Sequence, residues 1–174
     1  MKRTYGLIIT GFILVLVLIP VKIFFLNQTA PSKKISVSPS PTPTMVTQKS
    51  VDYKAKFAIY TNGVKRVFTN PMYHNLSKDV YIEASDPAIV HVKKDGITWM
   101  NFFMTLPFKL SKDCLTTGTN ETFCATKNAT LKFYLNGIRT NNLLFEKIKD
   151  GDLALISYGS ENEAQIKSQL NSLK

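Results

Sequence analysis

The sequence predicts an α+β protein in which an N-terminal transmembrane helix precedes a mixed β-sheet with a packed helix, closed by a C-terminal helix. Three observations carry this expectation. A long apolar run follows "MKRTYG", two Asn-Gly dipeptides each interrupt strand-like residues, and an aromatic stripe at helical spacing lies between those dipeptides.

The apolar run, "LIITGFILVLVLIPVKIFFL", is about twenty residues long, the length of a helix that crosses a hydrocarbon core of about 30 Å. It lacks the polar face of a buried amphipathic helix. A cleaved signal peptide needs small residues at its processing site, whereas "NQTAPS" sets a proline directly after Ala30. The expectation is an uncleaved signal-anchor over residues 6–26, with residues 1–5 cytoplasmic behind Lys2 and Arg3 and the remainder outside the cell membrane. Lys22 reaches the outer headgroups, and Pro20 is tolerated as a local kink.

Residues 27–50, "NQTAPSKKISVSPSPTPTMVTQKS", are rich in Ser, Thr and Pro and have no apolar periodicity, which predicts a semi-extended linker. The domain proper is then expected over residues 51–174. "AKFAIYTNGVKRVF" places Asn62-Gly63 between strand residues, a strong hairpin signal, and "TLKFYLNGIRT" repeats it at Asn136-Gly137. Tyr60-x-Asn62-Gly63-Val64-Lys65 aligns with Tyr134-x-Asn136-Gly137-Ile138-Arg139, so both strands are expected to end in the same kind of turn.

Between the hairpins, "DVYIEASDPAIVHVKKDG" reads as one or two short strands broken at Asp86-Pro87. "GITWMNFFMTLPF" reads as a helix with Thr98 as N-cap, Trp99, Phe102, Phe103 and Leu106 on one face, and Pro107 as terminator. "LLFEKIKDGDLALISYG" suggests a strand or edge segment, a turn at Asp150-Gly151 and an apolar strand from Leu153 to Tyr158. A last helix carries Ile166, Leu170 and Leu173, with Ser160 and Glu163 as its capping box. A mixed sheet with a helix across one face, of the β-grasp (ubiquitin-like) kind, is the most economical way to bury these elements.

The formal charge of +10 resembles that of a nucleic-acid binder until it is divided along the chain. Residues 1–50 hold no acid but six bases, leaving 16 of the 22 basic residues against all 12 acidic ones in the rest. No basic stripe interleaved with aromatics follows, so no nucleic-acid partner is expected.

Chemical sites are sparse. His74 and His91 have no second ligand at metal spacing, and no P-loop, G-x-S-x-G, H-E-x-x-H or G-x-G-x-x-G pattern occurs. Asp113, Glu121, Asp150 and Asp152 fall at turns, where capping and solvation are their ordinary work. We therefore expect no catalytic residues, no cofactor and no metal, and read the chain as a non-enzyme.

The two cysteines, Cys114 and Cys124, frame "CLTTGTNETFC". Outside a membrane such a pair is expected to be oxidised. In a hairpin with its tip near "TGTN", Cys114 faces Cys124, Leu115 faces Phe123 and Thr116 faces Thr122, a geometry that admits a cross-strand disulfide. A cycling dithiol normally has C-x-x-C spacing at a helix N-terminus, which is absent here.

Taken in order, "KFAIYTNG", "GITWMNFF", "DCL…TFC", "TLKFYLNG" and "DGDLALISYGSE" resemble an uncharacterised family of small membrane-anchored or secreted β-grasp-like proteins of uncultivated bacteria and archaea. The resemblance covers about residues 52–165. Members of that family are often histidine-rich around the first strand and before the helix, implying a metal-binding face, and some are automatically labelled protein-disulfide isomerases. This chain departs from them, with Asp52 and Lys54 in "DYKAKF" and with Tyr81, Glu83 and Lys93 further on, so that only His91 remains. The expected function is a single-pass extracytoplasmic binding or envelope-associated module. Its partners would be the lipid bilayer, through the N-terminal helix, and an envelope protein. The alternative is an external thiol–disulfide or metal-handling protein using Cys114 and Cys124.

Overall fold

The first strand, β1 (Ser50–Thr61), records in its own burial pattern how the molecule is layered. Through its first half Ala55 is buried while Asp52 and Lys54 are exposed, the period of a sheet covered on one face. From Phe57 onward every residue is buried, because a second layer covers the other face there. The structure is a computed structural model that describes residues 49–174. The signal-anchor and nearly all of the linker expected from the sequence lie outside the described residues; among the described ones, no helix is long and apolar enough to cross a membrane.

Asn62 and Gly63 both adopt positive φ, 51° and 79°, and return the chain into β2 (Val64–Lys65). A loop carrying the 3-10 turn Pro71–Tyr73 leads to β3 (Val80–Tyr81) and β4 (Ile89–Lys94), separated at Asp86-Pro87 as expected. Helix α1 (Trp99–Thr105) begins at Thr98, whose side chain accepts from the Asn101 N–H while the Asn101 side chain accepts from the Thr98 N–H. Trp99, Phe102, Phe103 and Leu106 are all buried, and the helix stops before Pro107.

A small three-stranded sheet follows, formed by β5 (Lys109–Leu110), β6 (Cys114–Thr116) and β7 (Thr122–Cys124). Next come β8 (Thr130–Leu135), β9 (Ile138–Arg139), β10 (Leu153–Gly159) and helix α2 (Glu163–Asn171). The main sheet runs β3-β4-β1-β10-β8-β9, with β2 added to β1. Its central pair, β1 and β10, is parallel, with Phe57 opposite Ala154 and Ile59 opposite Ile156; every other pairing is antiparallel. Mixed α+β architecture is thus as the sequence predicts.

Alternation sorts the side chains. Phe57, Ile59, Phe133, Ala154 and Ile156 join the α1 cluster, where Phe57 packs edge-on to Phe102 at 5.2 Å. Ala58, Tyr60 and Leu155 join Ile166 and Leu173 in the α2 cluster. Tyr60 Oη and Ser172 Oγ lie 2.8 Å apart across that second interface.

Two expectations are corrected. Residues Leu143–Phe145 form a 3-10 turn and not a strand: the Phe145 N–H donates to the Asn142 carbonyl and the Glu146 N–H to that of Leu143, so the segment bonds to itself, and only Lys147 beyond it makes a single β-bridge, to Thr98. The capping box of α2 is Asn162 with Gln165, two residues beyond Ser160 and Glu163. The shift follows from Glu161, which is drawn inward before the helix can begin.

Glu161 meets Lys132, whose position between Leu131 and Phe133 sends it to the opposite side of β8 from those two core residues. Lys132 Nζ donates to Glu161 Oε2 at 2.8 Å and to the Gly159 carbonyl at 2.7 Å, with the two side chains 10% and 4% exposed. Glu161 Oε1 also accepts the Gly63 N–H at 3.1 Å, so the pair locks the first hairpin turn to the end of β10. Gly159 has φ 148°, and a Cβ there would collide with the Glu161 carboxylate.

Burial by itself would raise the Glu161 pKa. The Lys132 hydrogen bond, the residue's own backbone N–H, the Lys132 charge and the Gly63 N–H outweigh it and leave the carboxyl below its ordinary 4.5. A carboxyl depressed in the folded state contributes stability above its unfolded pKa and loses it as pH falls through the folded one. Glu161→Gln should lower unfolding free energy at pH 7 by about 3 kcal/mol, the cost of leaving a buried charge unpaired. Denaturant titrations should show the gap from wild type closing as the pH drops below 4.5; a gap of constant size would contradict this account.

Candidate functional site

The cysteines were the only site residues expected from the sequence, and the structure places them directly opposite each other. In the β6–β7 hairpin Cys114 pairs with Cys124, Leu115 with Phe123 and Thr116 with Thr122, the register derived from a tip at "TGTN". The flanking bonds, Ala125 N–H to Asp113 C=O and Thr117 N–H to Glu121 C=O, put the cysteines at a non-hydrogen-bonded position, where strands approach most closely. Their Cα atoms are 4.1 Å apart and the two sulfurs are bonded.

The hairpin is fixed to the body by contacts that no local motif announces. Leu115 is buried in the main core, Phe123 packs on Tyr158 at 5.3 Å, and Tyr158 Oη donates to the Cys124 carbonyl at 3.1 Å. Arg66 spans the gap: its Nε donates to Thr61 Oγ1 at 2.6 Å, Nη1 to Glu121 Oε2 at 2.8 Å, and its guanidinium carbon lies 5.1 Å from the Phe123 ring centre. Arg66 itself carries no spacing signal, since its partners come from β1 and from the hairpin tip.

Of the hollows beside this hairpin among the described residues, two matter here. One of about 260 Å³ lies on the tip side, floored by Ile59, Phe68, Phe108 and Leu115 and edged by Arg66 and Thr119. Gly118 closes its rim tightly: a Cβ there would lie 2.8 Å from Tyr73 Oη. The larger, of about 790 Å³, lies against the hairpin base, between Ser111 and Ala125 on one side and β8, Asn142 and Phe145 on the other. Phe145, 74% exposed, stands at its rim. The larger volume is of the size that admits a small ligand or part of a peptide.

The other titratable residues do structural work. Asp150 Oδ1 accepts the Lys54 N–H, and Asp152 accepts from Asn136 Nδ2 and the Lys149 N–H. Asp113 pairs with Lys112 at 3.5 Å and Glu121 with Arg66. His74 Nε2 is 2.8 Å from the Phe68 carbonyl oxygen, and His91 stacks on Tyr81 at 5.2 Å. On that same open part of the sheet the Lys93 hydrogen bond holds Asp52 below the usual carboxylate range. Among the described residues no group of three or more His, Cys, Asp or Glu converges as a metal site.

No protein-family model, curated protein or solved structure matches this chain.

Closing the short loop between the cysteines stabilises the fold by about 3 kcal/mol on the chain-entropy account. Cys124→Ser should therefore lower the melting temperature while near-ultraviolet dichroism retains the packed signature of the Trp99 cluster. Loss of that signature at temperatures where the variant is still folded would make the disulfide a requirement of the main core and not a local staple.

Proposed function

We propose that this chain is a membrane-anchored, extracytoplasmic binding module whose β-grasp-like domain presents a stapled hairpin and its flanking hollows to a partner in the envelope. The observation that carries the reading is the larger hollow, walled by the hairpin base and rimmed by the exposed Phe145. A concavity of this size lined by apolar side chains and a few polar ones is the ordinary form of a ligand or peptide site. The β-grasp comparison rests on strand order: a central parallel pair, each member flanked by an antiparallel strand, with α1 in the connection between the two halves.

The anchor rests on the apolar run at residues 6–26, and the likeness to small anchored or secreted prokaryotic proteins rests on the ordered motifs from "KFAIYTNG" to "DGDLALISYGSE". An oxidised pair seated across two strands, away from any helix N-terminus, supports a structural disulfide in an oxidising compartment over a cycling dithiol.

In membranes prepared without reductant, maleimide should add no mass to the protein until it is denatured and reduced, when two adducts should appear. Chemical crosslinking in the same membranes should join the chain to an envelope protein through the hairpin-base side. Free thiols in the native membrane, or a bound metal lost on maleimide treatment, would favour the thiol- or metal-handling alternative.

A further inference from the structure

The two long flanks of the main sheet are closed to different degrees. Beside β4 the chain blocks its own edge: β3 pairs with Val92 and His91, the Lys93 N–H donates to the Asp79 carbonyl, and the Ile89 N–H donates to that of Asp86. The β8 flank is closed only at its end. Residues Tyr134 and Leu135 pair with the two-residue β9, and the Thr140 N–H donates to the Phe133 carbonyl.

The direction of the remaining β8 groups follows from alternation. Asn136 N–H donates to Leu153 on β10, so the even-numbered residues of β8 turn their backbone groups inward to β10 and the odd-numbered ones outward. The Phe133 carbonyl, already bonded to Thr140, agrees with this assignment. Leu131 N–H, Leu131 C=O and Phe133 N–H thus face outward, with no hydrogen-bond partner among the described residues. Leu131 and Phe133 also line the 790 Å³ hollow. Backbone groups of this kind are met by water or by another chain.

We infer that this open stretch of β8 takes an extended acidic peptide of a partner protein as an added strand. This deepens the binding-module reading and rests on it. Main-chain pairing supplies the attachment, and alternate side chains of the added strand enter the hollow between the hairpin base and Phe145. Charge selects the occupant. Arg139 lines the hollow and has no acidic partner among the described residues. Lys127 lies exposed in the turn between Ala125 and Thr130, two further lining residues. The one acid in the lining, Asp113, and Lys112 offset each other at 3.5 Å, so the excess positive charge is that of Arg139 and Lys127.

The test titrates the full chain in detergent micelles with synthetic peptides of alternating Val and Glu, about six residues long, enough to cover the open part of β8 and the hollow beside it. Three comparison peptides replace Glu by Lys, or carry N-methyl groups on the odd-numbered or the even-numbered residues. The Val-Glu peptide should bind at least about tenfold more tightly than its lysine counterpart. One of the two methylated sets should abolish binding and the other leave it within about threefold, the signature of a strand paired along one side. Amide exchange at Leu131 and Phe133 should slow in the complex, and Arg139→Glu should weaken binding about tenfold. Lys65→Glu, the same charge change on β2, should leave it unaltered. Equal effects of both methylated sets, equal effects of the two charge reversals, or no peptide binding would overturn the inference, as would self-association of the chain through β8. If crosslinking in native membranes still captured an envelope partner, the edge assignment alone would have failed; if it captured none, the binding-module reading would fail with it.

Discussion

Everything in this domain is arranged around one pairing, the parallel contact between β1 and β10. Two parallel strands cannot be joined by a tight turn, so the chain between them must leave the sheet, cross it and return. The β3–β4 strands, α1, the disulfide hairpin and β8 all belong to that excursion. Because strands at the centre of a sheet are covered on both faces, the last half of β1 and most of β10 consist of buried residues, and the helices are divided between the two faces. The hollows arise where this covering is incomplete, since α1 is short and the small sheet fills only part of the space beyond it.

The Lys132–Glu161 pair performs a different task from the apolar layers. Hydrophobic burial is non-directional and fixes only which face of a strand turns inward, whereas a buried ion pair with fixed hydrogen bonds tolerates few arrangements. Here it joins the middle of β8, the end of β10 and the turn after β1 at one point. A slip of β8 by one residue would bring Lys132 to the face of Phe57 and Trp99 and send Leu131 and Phe133 away from it, which gives the register a strong electrostatic as well as hydrophobic determinant.

Local signals made much of this legible. The Asn-Gly turns, the Thr98 cap, the four-residue apolar face of α1 and the hairpin register of the cysteines all depend on neighbours within a few positions, and each stands as the sequence indicates. What was not legible depends on residues far apart. Arg66 meets Glu121 only because the tip of one hairpin is folded against the start of another element, and the inward turn of Glu161 that displaced the α2 cap depends on Lys132. A lysine flanked by leucine and phenylalanine inside a strand was the one available hint that a buried carboxylate would be needed. The β9–β10 connection misled for a similar reason, since its two leucines are buried by tertiary packing against α1 and not by the alternation of a strand. The hollows have no linear signature, being made from the backs of several elements at once.

The two Asn-Gly turns also order events in time. Each closes a hairpin between adjacent residues, and the disulfide hairpin is nearly as local, so all three can form within microseconds of the chain becoming free. The central contact joins Lys56 to Leu153 and must await nearly the whole domain. Until β10 arrives, one side of β1 is an unpaired strand edge of "KFAIYT" beside residues that will later be fully buried. A chain that emerges N-terminus first therefore passes through a state whose most adhesive surface is the future centre of its own sheet, a surface that vanishes only when its last strand is delivered.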